Sequence, residues 1–213
     1  RAKSYRTAMN YIFIDTAEGT RVLLRAGDKY RYAEDLTNAG AETLMPTVDR
    51  LLSESGVKLT ELDAIGACVG PGSFTGLRIG LTTVKTLCYC LSKPCFAVNN
   101  LRLNAYNNDS GKVISVADAG SNVCYIARYD GDTELDAAKC VTLDGARAAI
   151  AAHKDFALST DVKLGKTLGG VSGVGEREMR IAADKAIAST VSYTELLPLY
   201  IRKPQPERGE GDL

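Results

Sequence analysis

The 213-residue chain balances 26 Lys plus Arg against 26 Asp plus Glu, so no global field draws it to nucleic acid or to an anionic membrane. With 45% hydrophobic residues and six prolines it has the composition of one large globular domain or two small ones, and no run of eighteen apolar residues suggests a membrane span. Six cysteines without a CxxC pair, and His153 as the single histidine, exclude zinc-site spacing and a histidine-based metal site, and lead us to expect a reduced, cytoplasmic protein. Residues 1–8 are polar and precede Met9. They read as a leader foreign to the natural chain, with Met9 as its start.

Residues 11–14, 22–24 and 30–32 are short β-rich runs separated by turns at Gly19 and Gly27, and predict an antiparallel three-stranded meander. A helical pattern spans 38–55, with Leu44, Val48 and Leu51 on one stripe, and Gly56 as its stop. Pro46 removes one helical hydrogen bond, so a break near Thr43 is expected. Residues 64–69 form an unbroken apolar run, as in a strand buried on both faces.

Gly70, Pro71 and Gly72 end that run, and Ser73 or Thr75 is placed to cap the next helix. There Leu77, Leu81, Val84, Cys88 and Leu91 recur at three- and four-residue steps and make a core-facing stripe. Gly76 and Gly80 share one flank, at about 1 kcal/mol each relative to Ala, which implies the close approach of another backbone. Three readings stay open: packing within the chain, a docking face for a second protein, or an anion at the helix N-terminus. The last lacks both a dinucleotide fingerprint and the Lys-Ser/Thr of a P-loop.

A strand at 94–98 and a helix at 100–106 follow, and the turn cluster at 107–111 divides the chain into subdomains 9–108 and 109–213. Residues 113–117, 123–129 and 138–143 read as three more strands, then a helix over 145–153 capped by Asp144 and a strand at 155–159. Residues 162–175 contain five glycines and read as a loop; a helix at 176–188 closes the pattern. Three strands followed by helix, strand and helix, twice over, predict a duplicated α/β unit with mixed sheets and flanking helices.

The motif GPGSFTGLRIG at 70–80 resembles the signature of the bacterial TsaB (YeaZ) family. Ile14, Asp15, Thr16 and Ala17 resemble that family's first-strand motif, Leu44, Met45 and Pro46 its first long helix, and residues 198–202 its C-terminal motif. Together these landmarks span nearly the whole chain in family order. The resemblance implies two subdomains of the actin-like type shared with sugar kinases, Hsp70 and RNase H-like proteins. It also implies a non-catalytic partner of a TsaD-like protein and a TsaE-like ATPase in threonylcarbamoyl transfer to the adenosine beside the tRNA anticodon. Such a chain meets tRNA only through the complex, forms a homodimer when alone, and has no cofactor of its own, with ATP and Mg²⁺ at most at the partner interface.

On that reading the interface comprises Phe74, Gly76, Leu77, Arg78, Gly80, Thr83 and Leu87, beside Leu44 and Val48. No residue is assigned a catalytic role, and none a metal. By the same resemblance Asp15 and Thr16 take the place where actin-like proteins handle Mg²⁺ and phosphates. Asp118, at the matching point of the second half, could then face Asp15 across a cleft, the alternative for each being a strand-end turn carboxylate. Departures stand at Gly120 and Val123, where the family tends to carry Arg and Glu, and at Gly40, where it often has His. The competing reading is an independent Mg-ATP-dependent ATPase or phosphotransferase built on Asp15 and Asp118.

Overall fold

The computed structural model describes residues 9–37 and 40–201; the expected leader, Asn38 and Arg202 lie outside them. In the first half, β1 (Tyr11–Asp15), β2 (Thr20–Ala26) and β3 (Lys29–Asp35) are followed by α1 (Ala41–Ser55), β4 (Ala64–Gly70), α2 (Phe74–Leu91), β5 (Cys95–Asn99) and α3 (Asn100–Ala105). The second half repeats this order with β6 (Lys112–Gly120), β7 (Val123–Asp130), β8 (Thr133–Thr142), α4 (Leu143–Ala152), β9 (Ala157–Thr160), α5 (Val162–Leu168), β10 (Val171–Ser172) and α6 (Glu176–Ala186).

The two sheets have one topology, β3-β2-β1-β4-β5 and β8-β7-β6-β9-β10. In each, the first three strands pair antiparallel and the last two join in parallel, as helical crossovers require. Strands β1 and β4 are buried along their whole length, which is why they carry continuous apolar residues rather than an alternating pattern.

The helices that end the two halves tie them together. Leu101 and Ala105 of α3 pack with Val113, Ala127 and Tyr129 of the second sheet. Met179, Ala182 and Ala183 of α6 return to the core of the first. Asp184 fixes α6 there, accepting hydrogen bonds from Tyr11 Oη (2.8 Å), Tyr30 Oη (2.7 Å) and Arg25 Nη1 (3.0 Å). Leu103 of α3 stays in the core of the first sheet, so α3 bridges the two halves while α6 serves the first.

Three local expectations are corrected. Helix α1 runs unbroken through Pro46, because Pro46 and Glu42, whose carbonyl loses its partner, are both exposed while Leu44, Val48, Leu51 and Leu52 anchor the opposite face. The loop expected at 162–175 folds into α5 and β10: Asp161 Oδ1 caps the helix through Leu164 N at 2.7 Å, and Leu164 enters the core. The cap of α4 is Thr142, whose Oγ1 accepts from Gly145 N at 3.0 Å, rather than Asp144. Among the described residues no helix is long and apolar enough to cross a membrane.

Candidate functional site

Helix α2 begins as its sequence suggests: Ser73 Oγ accepts from Gly76 N at 3.2 Å, and Leu77, Leu81, Val84 and Cys88 are buried. The glycine flank faces inward. A Cβ on Gly76 would lie 2.1 Å from the Thr16 carbonyl oxygen, and one on Gly80 would lie 2.2 Å from Thr16 Oγ1. The backbone whose approach these glycines allow is the chain's own turn after β1. Ser73 N donates to Ala17 O at 2.9 Å and closes the same contact.

This changes the expected interface. Gly76, Gly80, Leu77, Leu44 and Val48 are buried in this chain and present no surface, because the first sheet takes up the apolar stripes of both helices. Thr83 and Leu87 are half-buried, Leu87 against the core. Of the expected residues, Arg78 is exposed and Phe74 half-buried. The Arg78 guanidinium stacks 3.8 Å from the centroid of the Phe74 ring, which in turn lies 5.3 Å from that of Tyr200.

Asp15, at the end of β1, is fully buried and paired with Arg21 of β2, its register partner, whose Nη1 lies 2.9 Å from Oδ2. The other carboxylate oxygen accepts from Ala17 N at 2.9 Å. Arg21 is also buried, with Glu18 at 3.7 Å and Glu34 at 4.0 Å. Burial, with Asp15 alongside, holds the Cys68 thiol protonated, far above its usual range. Both oxygens of Asp15 are satisfied inside the protein, one of them by a cation. The donor set does not fit Mg²⁺, which takes free carboxylate oxygens and several waters. Thr16, wedged beneath α2, offers its hydroxyl to no open site. The sequence signal for this pairing is an arginine within an apolar strand, six residues after the aspartate.

Between the two sheets lies a cavity of about 940 Å³, walled in part by Glu18, Phe74, Asn100, Asp118, Asp161 and Tyr200. Asp118 reaches it as expected, but Asp15 is not part of the wall, so the two do not face each other. Lys163 pairs with the Asp118 side chain, while the Asp118 backbone N–H donates to Asp161 Oδ2. Glu18 from the first half and Asp161 from the second also line the cleft, and neither was singled out by the sequence. Burial, then the nearby Asp161 carboxylate, pushes Glu18 up to about 7 against the pull of Arg21. Among the described residues no group of three or more His, Cys, Asp or Glu side chains is placed to hold a metal ion.

Two mixed five-stranded sheets of identical order, meeting at a cleft and flanked by helices, define a duplicated α/β protein. Residues 34–191 match the family described as TsaD, tRNA N6-adenosine threonylcarbamoyltransferase, and the chain belongs to that family.

The tRNA N6-adenosine threonylcarbamoyltransferase of Brucella ovis is 46% identical over 72 residues, which cover 34% of this chain and 20% of that protein. Its counterpart in Brucella canis is 44% identical over a stretch of the same length and coverage. The chain thus spans about a fifth of the length of these curated relatives. Two solved structures match along nearly the whole chain. YeaZ from Pseudomonas aeruginosa superposes with a TM-score of 0.75 at 24% identity, covering 90% of this chain and 99% of its own. A protein described as similar to peptidase YEAZ from Pseudomonas aeruginosa gives 0.78 at 26% identity, covering 91% and 100%. The YeaZ resemblance read from residues 70–80 is borne out at the level of the whole chain.

Proposed function

We propose that this chain is a non-catalytic subunit that docks on a TsaD-like catalytic protein and supports threonylcarbamoyl transfer to the adenosine beside the tRNA anticodon. The observation that carries the reading is the Arg21–Asp15 pair. Within a family of threonylcarbamoyltransferases, this chain's first-strand carboxylate is consumed by an internal guanidinium at 2.9 Å. That weighs against the independent ATPase or phosphotransferase, which needs Asp15 for Mg²⁺. On this reading ATP and Mg²⁺ sit in the partner's site, a TsaE-like ATPase joins the assembly, and the chain works in the cytoplasm. Its zero formal charge supports tRNA contact through the complex rather than directly.

The docking surface is the outward side of α2. Exposed Arg78 stacked on Phe74, with exposed Tyr89 further along, offers the arginine and aromatic anchors typical of interface centres. The same surface self-pairs as an isologous dimer when the partner is missing. Sedimentation velocity of the protein alone, and mixed with the TsaD-like protein of the same organism, tests this. A homodimer that gives way to a heterodimer is expected, with Arg78→Glu weakening both while the thermal midpoint stays unchanged. A chain indifferent to that protein, or association untouched by Arg78→Glu, would refute the partner role or its surface respectively.

A further inference from the structure

We propose that Tyr200 is a positioning residue for docking: through the Phe74 ring it holds the Arg78 guanidinium in one place on the outward side of α2. The inference rests on the docking surface proposed above, and adds to it a residue from the stretch after α6.

The first observation is where two sequence motifs meet. Residues 70–80 and 198–202 stand far apart in the chain, yet the Tyr200 ring packs on that of Phe74, with 33° between their planes. The stretch that brings Tyr200 there is fastened along its length. Val191 and Cys95 exchange backbone hydrogen bonds at 2.7 and 3.0 Å, Leu196 is buried in the core of the first sheet, and Leu199 N donates to Val69 O at 2.8 Å. Tyr200 therefore arrives on backbone that is already held.

The second observation is what Phe74 lacks without it. Phe74 is the first residue of α2, and helical side chains lean toward the N-terminus, so its ring overhangs the 70–73 turn with no earlier helical turn to pack on. Gly70 and Gly72 give it no side chain there, and Tyr200 supplies the neighbour. One turn further along the helix, the Arg78 guanidinium lies 3.8 Å from the Phe74 ring centroid. An exposed arginine samples many rotamers, and an interface that must fix it loses affinity in doing so. Stacked on a ring that is itself held, Arg78 has given up that freedom before a partner arrives. The succession Tyr200, Phe74, Arg78 thus carries the rigidity of the first sheet out to the docking surface.

The test uses the full chain and two readouts. In the protein alone, side-chain NMR follows the Arg78 protons, which stacking over a ring face moves upfield. That displacement should be present in the wild type, kept in Tyr200→Phe and largely lost in Tyr200→Ala. In mixtures with the TsaD-like protein, calorimetry should show docking weakened about fivefold by Tyr200→Ala and close to wild type in Tyr200→Phe. The double variant Arg78→Ala/Tyr200→Ala should dock no more weakly than Arg78→Ala alone, because Tyr200 acts only through the arginine. Should Tyr200→Ala fail to fold, Tyr200→Leu, which removes the ring and keeps an apolar side chain, is read in the same way. An unchanged Arg78 signal in a folded Tyr200→Ala or Tyr200→Leu protein would overturn the inference while leaving the docking surface intact. Additive losses in the double variant would do the same, since they would make Tyr200 a direct contact. Docking untouched by Arg78→Ala would instead refute the surface, and the inference with it.

Discussion

Asp15 and Asp118 stand at the same point of two copies of one topology, the ends of β1 and β6, but in different surroundings. Opposite Asp15 in the ladder is Arg21; opposite Asp118 is Cys124. The first aspartate is therefore neutralised across the sheet and buried, while the second turns to the cleft and takes its cation from Lys163, a side chain 72% exposed. The helices beyond them differ as well, 18 residues in α2 against 7 in α5. The strand end fixes where a carboxylate sits. Its cross-strand neighbour decides whether it is a structural ion or a cleft residue.

The largest way to break this contrast is Arg21→Met, which leaves Asp15 buried without its cation. It should cost about 3–5 kcal/mol in a denaturant titration, with partial recovery on adding Asp15→Asn. Next comes Gly76→Ala, which sets a methyl group against the Thr16 carbonyl and should cost about 2–3 kcal/mol by the same measurement.

Glu18 gives a smaller effect that depends on pH. Its folded value of about 7 lies above the ordinary 4.5, so the folded state keeps a proton that the unfolded chain releases. Its contribution is fully present below pH 4.5 and is lost as the pH rises through about 7. Stability should fall by up to roughly 3 kcal/mol across that window, and Glu18→Gln should flatten the slope. Lys163→Ala, which breaks the exposed pair of the second half, should shift stability by less than about 1 kcal/mol. Equal costs for Arg21→Met and Lys163→Ala would erase the distinction between the halves.

Much of this was legible in the sequence because it is local. The apolar run of β4, the stripe of α2 and the Ser73 cap follow from neighbouring residues, and all three appear as expected. The direction of the glycine flank did not follow. Gly76 and Gly80 announce a close approach, but Thr16, some sixty positions earlier in the chain, is what approaches. Helix α5 was hidden because the glycines at 169, 170 and 173, all at positive φ in the turns around β10, dominate the local composition. The packing of α3 on both cores and the return of α6 to the first are tertiary choices that amphipathic pattern alone leaves open, since a stripe shows that a helix is buried and not against what. Glu18 and Asn100 meet only because two turns distant in sequence close on each other around Pro71.

The most direct measurement is a calorimetric titration of Mg-ATP into the isolated chain, wild type and Asp15→Asn, under conditions where both remain folded. If Asp15 is a structural ion held by Arg21, the two proteins give the same isotherm, with no Mg²⁺-dependent binding that depends on this residue. Mg²⁺-dependent nucleotide binding by the wild type, abolished in Asp15→Asn, would contradict the account and return the chain to the class of independent ATP-using enzymes.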